Sequence, residues 1–308
     1  MTMRPAGHFQ NFRKNIQKHR IIYLLFLPVL IYYRLFHYLP MYGAIIAFKN
    51  YVSSQGIANS AWVGLKHFRS FFSSYYCSRL IRNTLLISLY SILFGFPAPI
   101  LLALLLNEVK CLRYKRLVQT ITYLPHFLSV MVVCGMIIHF FSTDGFISAI
   151  VSSCGGSAQN YLLDPACFRA IYVGTDIWQS VGWGSIVYLA ALSGIDPTLY
   201  EAAKIDGAGR MRQTIHITLP GILPTIVVLF ILRIGSIMNV GHEKIILLYN
   251  SMTYETADVI STFVYRKGLL DANYSYSAAI GLLNSFINFG LVIIANTLSR
   301  SVKQTTLW

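Results

Sequence analysis

Six stretches of the chain, at residues 21–48, 80–106, 117–141, 168–192, 219–238 and 277–298, stay apolar for long enough to cross a bilayer. The hydrocarbon core is roughly 30 Å thick, which a helix of about 20 residues spans. In lipid every backbone N–H and C=O has to be satisfied inside the protein, so stretches of this length are expected as helices. The remaining composition agrees, since 55% of the 308 residues are apolar and 12% charged, too little polar surface for a soluble fold of that size. The expectation is an all-α integral membrane protein with six transmembrane helices in one domain, 21–299. A basic N-terminal segment, 1–20, precedes it and a short tail, 300–308, follows. The first apolar run is too long for a signal-peptide core and lacks a small-residue cleavage site, so it reads as a lasting first span.

With the N-terminus inside, the cytoplasmic segments carry 14 Lys and Arg and the opposite side carries 7. The positive-inside rule therefore puts both termini, and the loop at 196–220, in the cytoplasm. The net charge of +14 does not point to nucleic acid. The basic residues lie in short loops beside spans, where they meet anionic lipid headgroups, and no base-stacking or groove-reading motif accompanies them. Pro97 and Pro99 fall inside the second span and are expected to kink or unwind it. Five cysteines show no framework or metal spacing, although a Cys154–Cys167 bridge is conceivable.

The polar loop at 196–220 is the most specific local pattern. Asp196 is placed to cap a helix that Pro197 opens at its first position, where a missing N–H costs nothing. Gly207, inside Asp206-Gly207-Ala208-Gly209, supplies the positive φ of a sharp turn. A second basic stretch, 210–216, then leads back to Leu219-Pro220. The expected product is a helix-turn-helix protruding from the membrane.

The run Glu201-Ala202-Ala203, then Gly207, Ile217, Leu219 and Pro220 resembles the coupling loop of permease subunits of binding-protein-dependent ABC importers. The stretches at 26–51, 83–108, 182–222 and 254–270 are similar to the maltose-transporter-like branch of the type I importers, and to its permeases for complex oligosaccharides and polysaccharide fragments. His242 and Lys244 depart from that branch's pattern ahead of Ile245-Ile246. The resemblance implies the type I permease fold in a bacterial cytoplasmic membrane and a second permease, with a heterodimer expected. It also implies a dimeric cytoplasmic ATPase that binds the ATP and Mg, and an extracytoplasmic oligosaccharide-binding protein. On the loop it implies that Glu201, Ala202, Ala203, Asp206, Gly207, Ile217, Leu219 and Pro220 couple the chain to the ATPase, with Glu201 facing a basic group.

No phosphate loop, nucleophile arrangement or metal set appears in the chain, so no cofactor is expected in it and no catalysis. Polar groups inside spans are costly and tend to face the bundle interior, which makes them candidates for a solute path. In the fourth span these are Asp176, Trp178, Gln179 and Trp183, a pairing of hydrogen-bond acceptors with flat aromatic faces that suits sugars. Asn284 and Asn288 lie four apart on one face of the sixth span, and Arg233 and His139 could line the outer half. Asn and Gln also bond helix to helix, and Trp favours membrane interfaces, so a structural role stands beside each assignment. The outer segment 239–276 is expected to carry a helix over 256–270, lying on the bilayer or capping the path. A permease for another polar solute, such as glycerol phosphate or a short peptide, and an ion-coupled carrier are the alternatives.

Overall fold

The computed structural model describes residues 18–301, with side chains through residue 297. The segment 1–20 falls within that range only at its last three residues, and the tail 300–308 only at the backbone of 300 and 301. The remainder of both lies outside the described residues. Among the described residues the one strand pairing joins Lys49–Asn50 to Ala61–Trp62, and the rest is helix and loop.

Among the described residues, five helices are long and apolar enough to cross a membrane: Arg20–Phe48, Tyr76–Glu108, Val130–Ser153, Arg210–Gly235 and Tyr274–Thr297. A sixth, Pro165–Ser193, has the length at 29 residues but carries Arg169, Asp176 and Gln179. It tolerates these polar groups because it is the central helix, set against Pro97–Glu108, Leu112–Tyr123 and Leu219–Gly235. Phe168, Ile171, Tyr172, Tyr188 and Leu192 are buried along it. At Gly182 the helix Leu112–Tyr123 comes so close that a Cβ would collide with the Thr122 carbonyl, and only glycine fits.

The second span accommodates its prolines without unwinding. Tyr76–Tyr90 widens into a π-turn at Ser91–Gly95 before Pro97–Glu108 resumes, and the Phe96 N–H donates to the Ser91 carbonyl at 3.1 Å. The run at 117–141, expected as one span, is divided. Helix Leu112–Tyr123 ends in a 3₁₀ turn at Leu124–Phe127 containing Pro125, the chain extends through Leu128 and Ser129, and Val130–Phe141 starts afresh. Ser129 caps the new helix by accepting the Val132 N–H at 3.3 Å. Hydropathy cannot register this break, because both flanks are apolar.

The expected helix at 256–270 is broken once, at Asp258 and Val259: Tyr254–Ala257 lies before the break, and Ile260–Tyr265 runs on into a π-turn at Arg266–Leu270. Its apolar residues divide, with Leu269 and Leu270 exposed at its end and the others turned inward. Ile260 and Phe263 are buried against Phe71, Leu80 and Ile280 of the protein itself. The anchor is Asp258, fully buried, whose carboxylate accepts from Arg266 at 2.9 and 2.7 Å and from Thr262 at 2.8 Å, with Arg79 at 3.5 Å. The five cysteines are free thiols, so Cys154 and Cys167 are unbridged. Residues 18–42 of the first span are exposed throughout, Arg34 among them.

Candidate coupling hairpin and solute cavity

The hairpin at 196–220 forms from local rules. The Asp196 carboxylate accepts the Thr198 N–H at 2.9 Å, opening helix Pro197–Ile205, and these hydrogen bonds hold the carboxyl below the usual carboxylate range. The helix closes with Gly207 in the left-handed region at φ +74. Gly207 N–H donates to the Lys204 carbonyl at 3.1 Å and Ala208 N–H to the Ala203 carbonyl at 2.8 Å, the paired bonds of a Schellman motif. Gln213 returns a bond to the Ala208 carbonyl at 2.7 Å. Tyr200 hydroxyl meets Thr218 Oγ1 at 3.0 Å, fastening the hairpin to the foot of the next span. Glu201, Ala202, Asp206, Leu219 and Pro220 are exposed, and Ala203 and Ile217 half-buried. Ile205 is 87% exposed at the tip and Met211 73%, two apolar side chains left largely uncovered by the described residues.

At the other end of the fifth span the helix stops at Gly235, and residues 236–241 run without helix until His242–Leu248 begins. Irregular backbone at membrane depth needs partners, and side chains of three elements supply them. Ser88 donates to the Ile237 carbonyl, Asn288 Oδ1 accepts the Met238 N–H at 3.1 Å, and Ser261 donates to the Val240 carbonyl at 2.9 Å. Asn284 and Asn288 both donate to Asn239 Oδ1, at 2.9 and 3.4 Å. The two asparagines expected on one face thus do act together. Asn288, buried, holds the break closed, while half-buried Asn284 lines a wider concavity of about 550 Å³ with Asn239 and His242.

Above the break lies a polar cavity of about 150 Å³, lined by Ser88, Ser91, Tyr172, Asp176, Arg233, Ser236, Asn239 and the backbone to Gly241. Asp176 belongs to a stripe on the fourth helix, Tyr172, Asp176, Gln179 and Trp183, whose spacings of four, three and four keep it on one face. Lys244 reaches Asp176 at 3.8 Å while lying over the Tyr172 ring. Burial pushes the Lys244 ammonium below its ordinary value, and Asp176 opposes that shift. Gln179 approaches the Leu128 carbonyl at 3.5 Å, and Trp183 stacks on His126 at 4.6 Å with rings 4° from parallel. Asp176 and Arg233 therefore share one cavity. Trp178 and His139 are exposed and take no part in its lining.

Lys244, Asn239 and Tyr172 were not legible as site residues. Counting charges assigns Lys244 to the outer loop, whereas the chain folds it back against the fourth helix. The departure at His242 and Lys244 was the available signal.

Residues 88–304 match the family of binding-protein-dependent transport system inner membrane components, and the chain belongs to that family. It is a multi-pass inner-membrane protein of the ABC permease class. Protein LplB of Bacillus subtilis (strain 168) is 43% identical over 98% of this chain and 96% of its own. The polygalacturonan/rhamnogalacturonan transport system permease YteP of the same organism is 44% identical, covering 94% and 90%. Among solved structures, a bacterial ABC transporter for import of the acidic polysaccharide alginate contains a chain 44% identical to this one. The two superpose with a TM-score of 0.89 over 96% of this chain and 100% of that one. The same transporter with an alginate pentasaccharide-bound periplasmic protein gives 0.88, covering 96% and 99%.

Proposed function

We propose that this chain is one of two permease subunits of an ATP-driven importer that takes up oligosaccharides handed over by an extracytoplasmic binding protein. The observation that carries the reading is the hairpin. It is capped and turned by its own hydrogen bonds, it is bonded to the foot of the fifth span, and it leaves Glu201, Ile205 and Met211 exposed among the described residues. A dimeric ATPase, which would bind ATP and Mg in place of this chain, has the kind of cleft such a hairpin fits. An ion-coupled carrier has no use for it. Glu201 would pair with a basic group there, and the second permease would be a related but different chain.

The solute path would use the Tyr172, Asp176, Gln179 and Trp183 face, together with Arg233 and Asn284. Asn288 would support the path from behind. Two similar proteins support a sugar as the solute, one named for polygalacturonan and rhamnogalacturonan, the other for alginate. Driven by closure of the ATPase dimer, the hairpin would move inward and turn the cavity toward the binding protein, then release it to the cytoplasm.

The test is co-expression with the ATPase and binding protein of the same importer. The ATPase should copurify with this chain, and sugar uptake into proteoliposomes should require ATP and the binding protein together. Uptake driven by an ion gradient, with no ATPase bound, would refute the reading.

A further inference from the structure

We propose that Arg233 is a carboxylate-recognising residue of the solute cavity, and that the solute is an acidic oligosaccharide containing uronate units. The inference rests on the oligosaccharide reading above and narrows it. Arg233 lies near the end of helix Leu219–Gly235 and lines the polar cavity. Among the described residues its guanidinium has neither an ion pair nor a hydrogen bond, whereas Arg79 and Arg266 share Asp258. An arginine within a span is expensive unless something anionic or aqueous meets it.

Asp176 is the carboxylate in the cavity lining, and it is already engaged. Lys244 stands 3.8 Å from it with a side chain only 7% exposed, and among the described residues has no other acid in reach. That carboxylate pairs with Lys244 and not with the exposed Arg233, which leaves the cavity with a positive charge that no described residue neutralises. Sugar hydroxyls do not require a guanidinium, and the cavity already offers them Ser88, Ser91, Ser236, Tyr172 and Asn239. A planar carboxylate does match the guanidinium fork, through two parallel N–H···O bonds. The cavity thus separates two tasks, with hydroxyls and an amide for the ring and one free guanidinium for an acid group.

The experiment uses the complete importer with its own binding protein, in proteoliposomes. Uptake is measured for a uronate trisaccharide and for the same trisaccharide with its carboxyls methyl-esterified, which keeps size and linkage and removes the charge. Each rate is normalised to the unmodified complex, so the binding protein's own preference cancels. Arg233→Gln should lower uptake of the acid by roughly 10- to 100-fold, as expected for losing hydrogen bonds to a charged group, and change the ester by less than about twofold. Arg233→Lys keeps the charge without the fork and should recover part of the acid uptake. Equal losses for acid and ester, or a fall in assembled complex for both variants, would overturn the assignment and make Arg233 a contact to another chain. An unmodified complex that moves neither of these but moves a neutral oligosaccharide would overturn the uronate assignment alone, and one that moves no oligosaccharide at all would overturn the oligosaccharide reading itself.

Discussion

Asn288→Ala separates a structural polar group from a solute-binding one. The side chain is 7% exposed, accepts the buried Met238 N–H at 3.1 Å and donates to Asn239 at 3.4 Å. Alanine removes both bonds and leaves the Met238 amide buried without a partner. Interhelical hydrogen bonds in membranes average only about 0.6 kcal/mol, but an orphaned buried donor adds its desolvation penalty of about 1–3 kcal/mol. The larger figure should dominate, because among the described residues the Met238 N–H has no backbone acceptor to fall back on. The expected outcome is a melting temperature lowered by roughly 5 °C for the purified complex, with uptake of every sugar reduced by the same factor. Asn288→Asp keeps the acceptor for Met238 and should lose less. An unchanged melting curve accompanied by a shifted preference among oligosaccharides would refute the argument and return Asn288 to the solute path.

Three further outcomes follow from the geometry. Gly207→Val forces a β-branched residue to φ +74, a strain of about 1–2 kcal/mol on the hairpin, and Glu201→Lys reverses an exposed charge. Both should abolish sugar-stimulated ATPase activity while the membrane subunits assemble, and normal activity in Glu201→Lys would sink the coupling role. In a cysteine-free background, Ser157→Cys and Met252→Cys should react with an impermeant maleimide in intact cells and Met211→Cys only after permeabilisation; labelling of the last in intact cells would invert the topology. Met252 is the better outer reporter because neighbouring Thr253 is fully buried. Asp258→Asn leaves Arg266 without its buried partner and should cost about 3–5 kcal/mol, seen as loss of assembled complex, whereas near-normal yield and melting would show the network to be dispensable.

The hairpin was readable from sequence because its determinants are local. An Asp-Pro start, a glycine turn and a short span between them act within a few residues, and the structure reproduces cap, turn and return bond in that order. The fourth-helix stripe and the Asn284–Asn288 pair were readable for the same reason, since helical spacing alone puts them on a face. What they face was not readable. Asn239 becomes their common partner only because the helix ends at Gly235 and the chain turns back, a long-range event that Gly235-Ser236 and Gly241 merely permit. Lys244 carries the opposite lesson. A charge outside an apolar run is counted as solvated, yet this one is folded against Tyr172 and Asp176. The divided third span failed in yet another way, since a capping serine between two apolar flanks changes the backbone without changing the hydropathy.

The fifth span joins the two sites as one element. From Arg210 to Gly235 it is continuous for 26 residues, about 39 Å at 1.5 Å per residue. One end is the returning arm of the hairpin, and Arg233 stands two residues from the other. The opposing wall of the cavity, Tyr172 and Asp176, belongs to the fourth helix, which enters the same hairpin at Asp196. Tyr200 and Thr218 clamp the two arms together at the base. A displacement applied at Glu201 therefore reaches both walls through helices that share a fixed lower joint. Any change of angle between them must appear at the far end, where residues 236–241 are held by a few backbone turn bonds and by side-chain bonds from neighbouring helices. Those bonds can exchange one partner for another at little cost, which a helical backbone cannot do. The cavity lies where the fold is able to give.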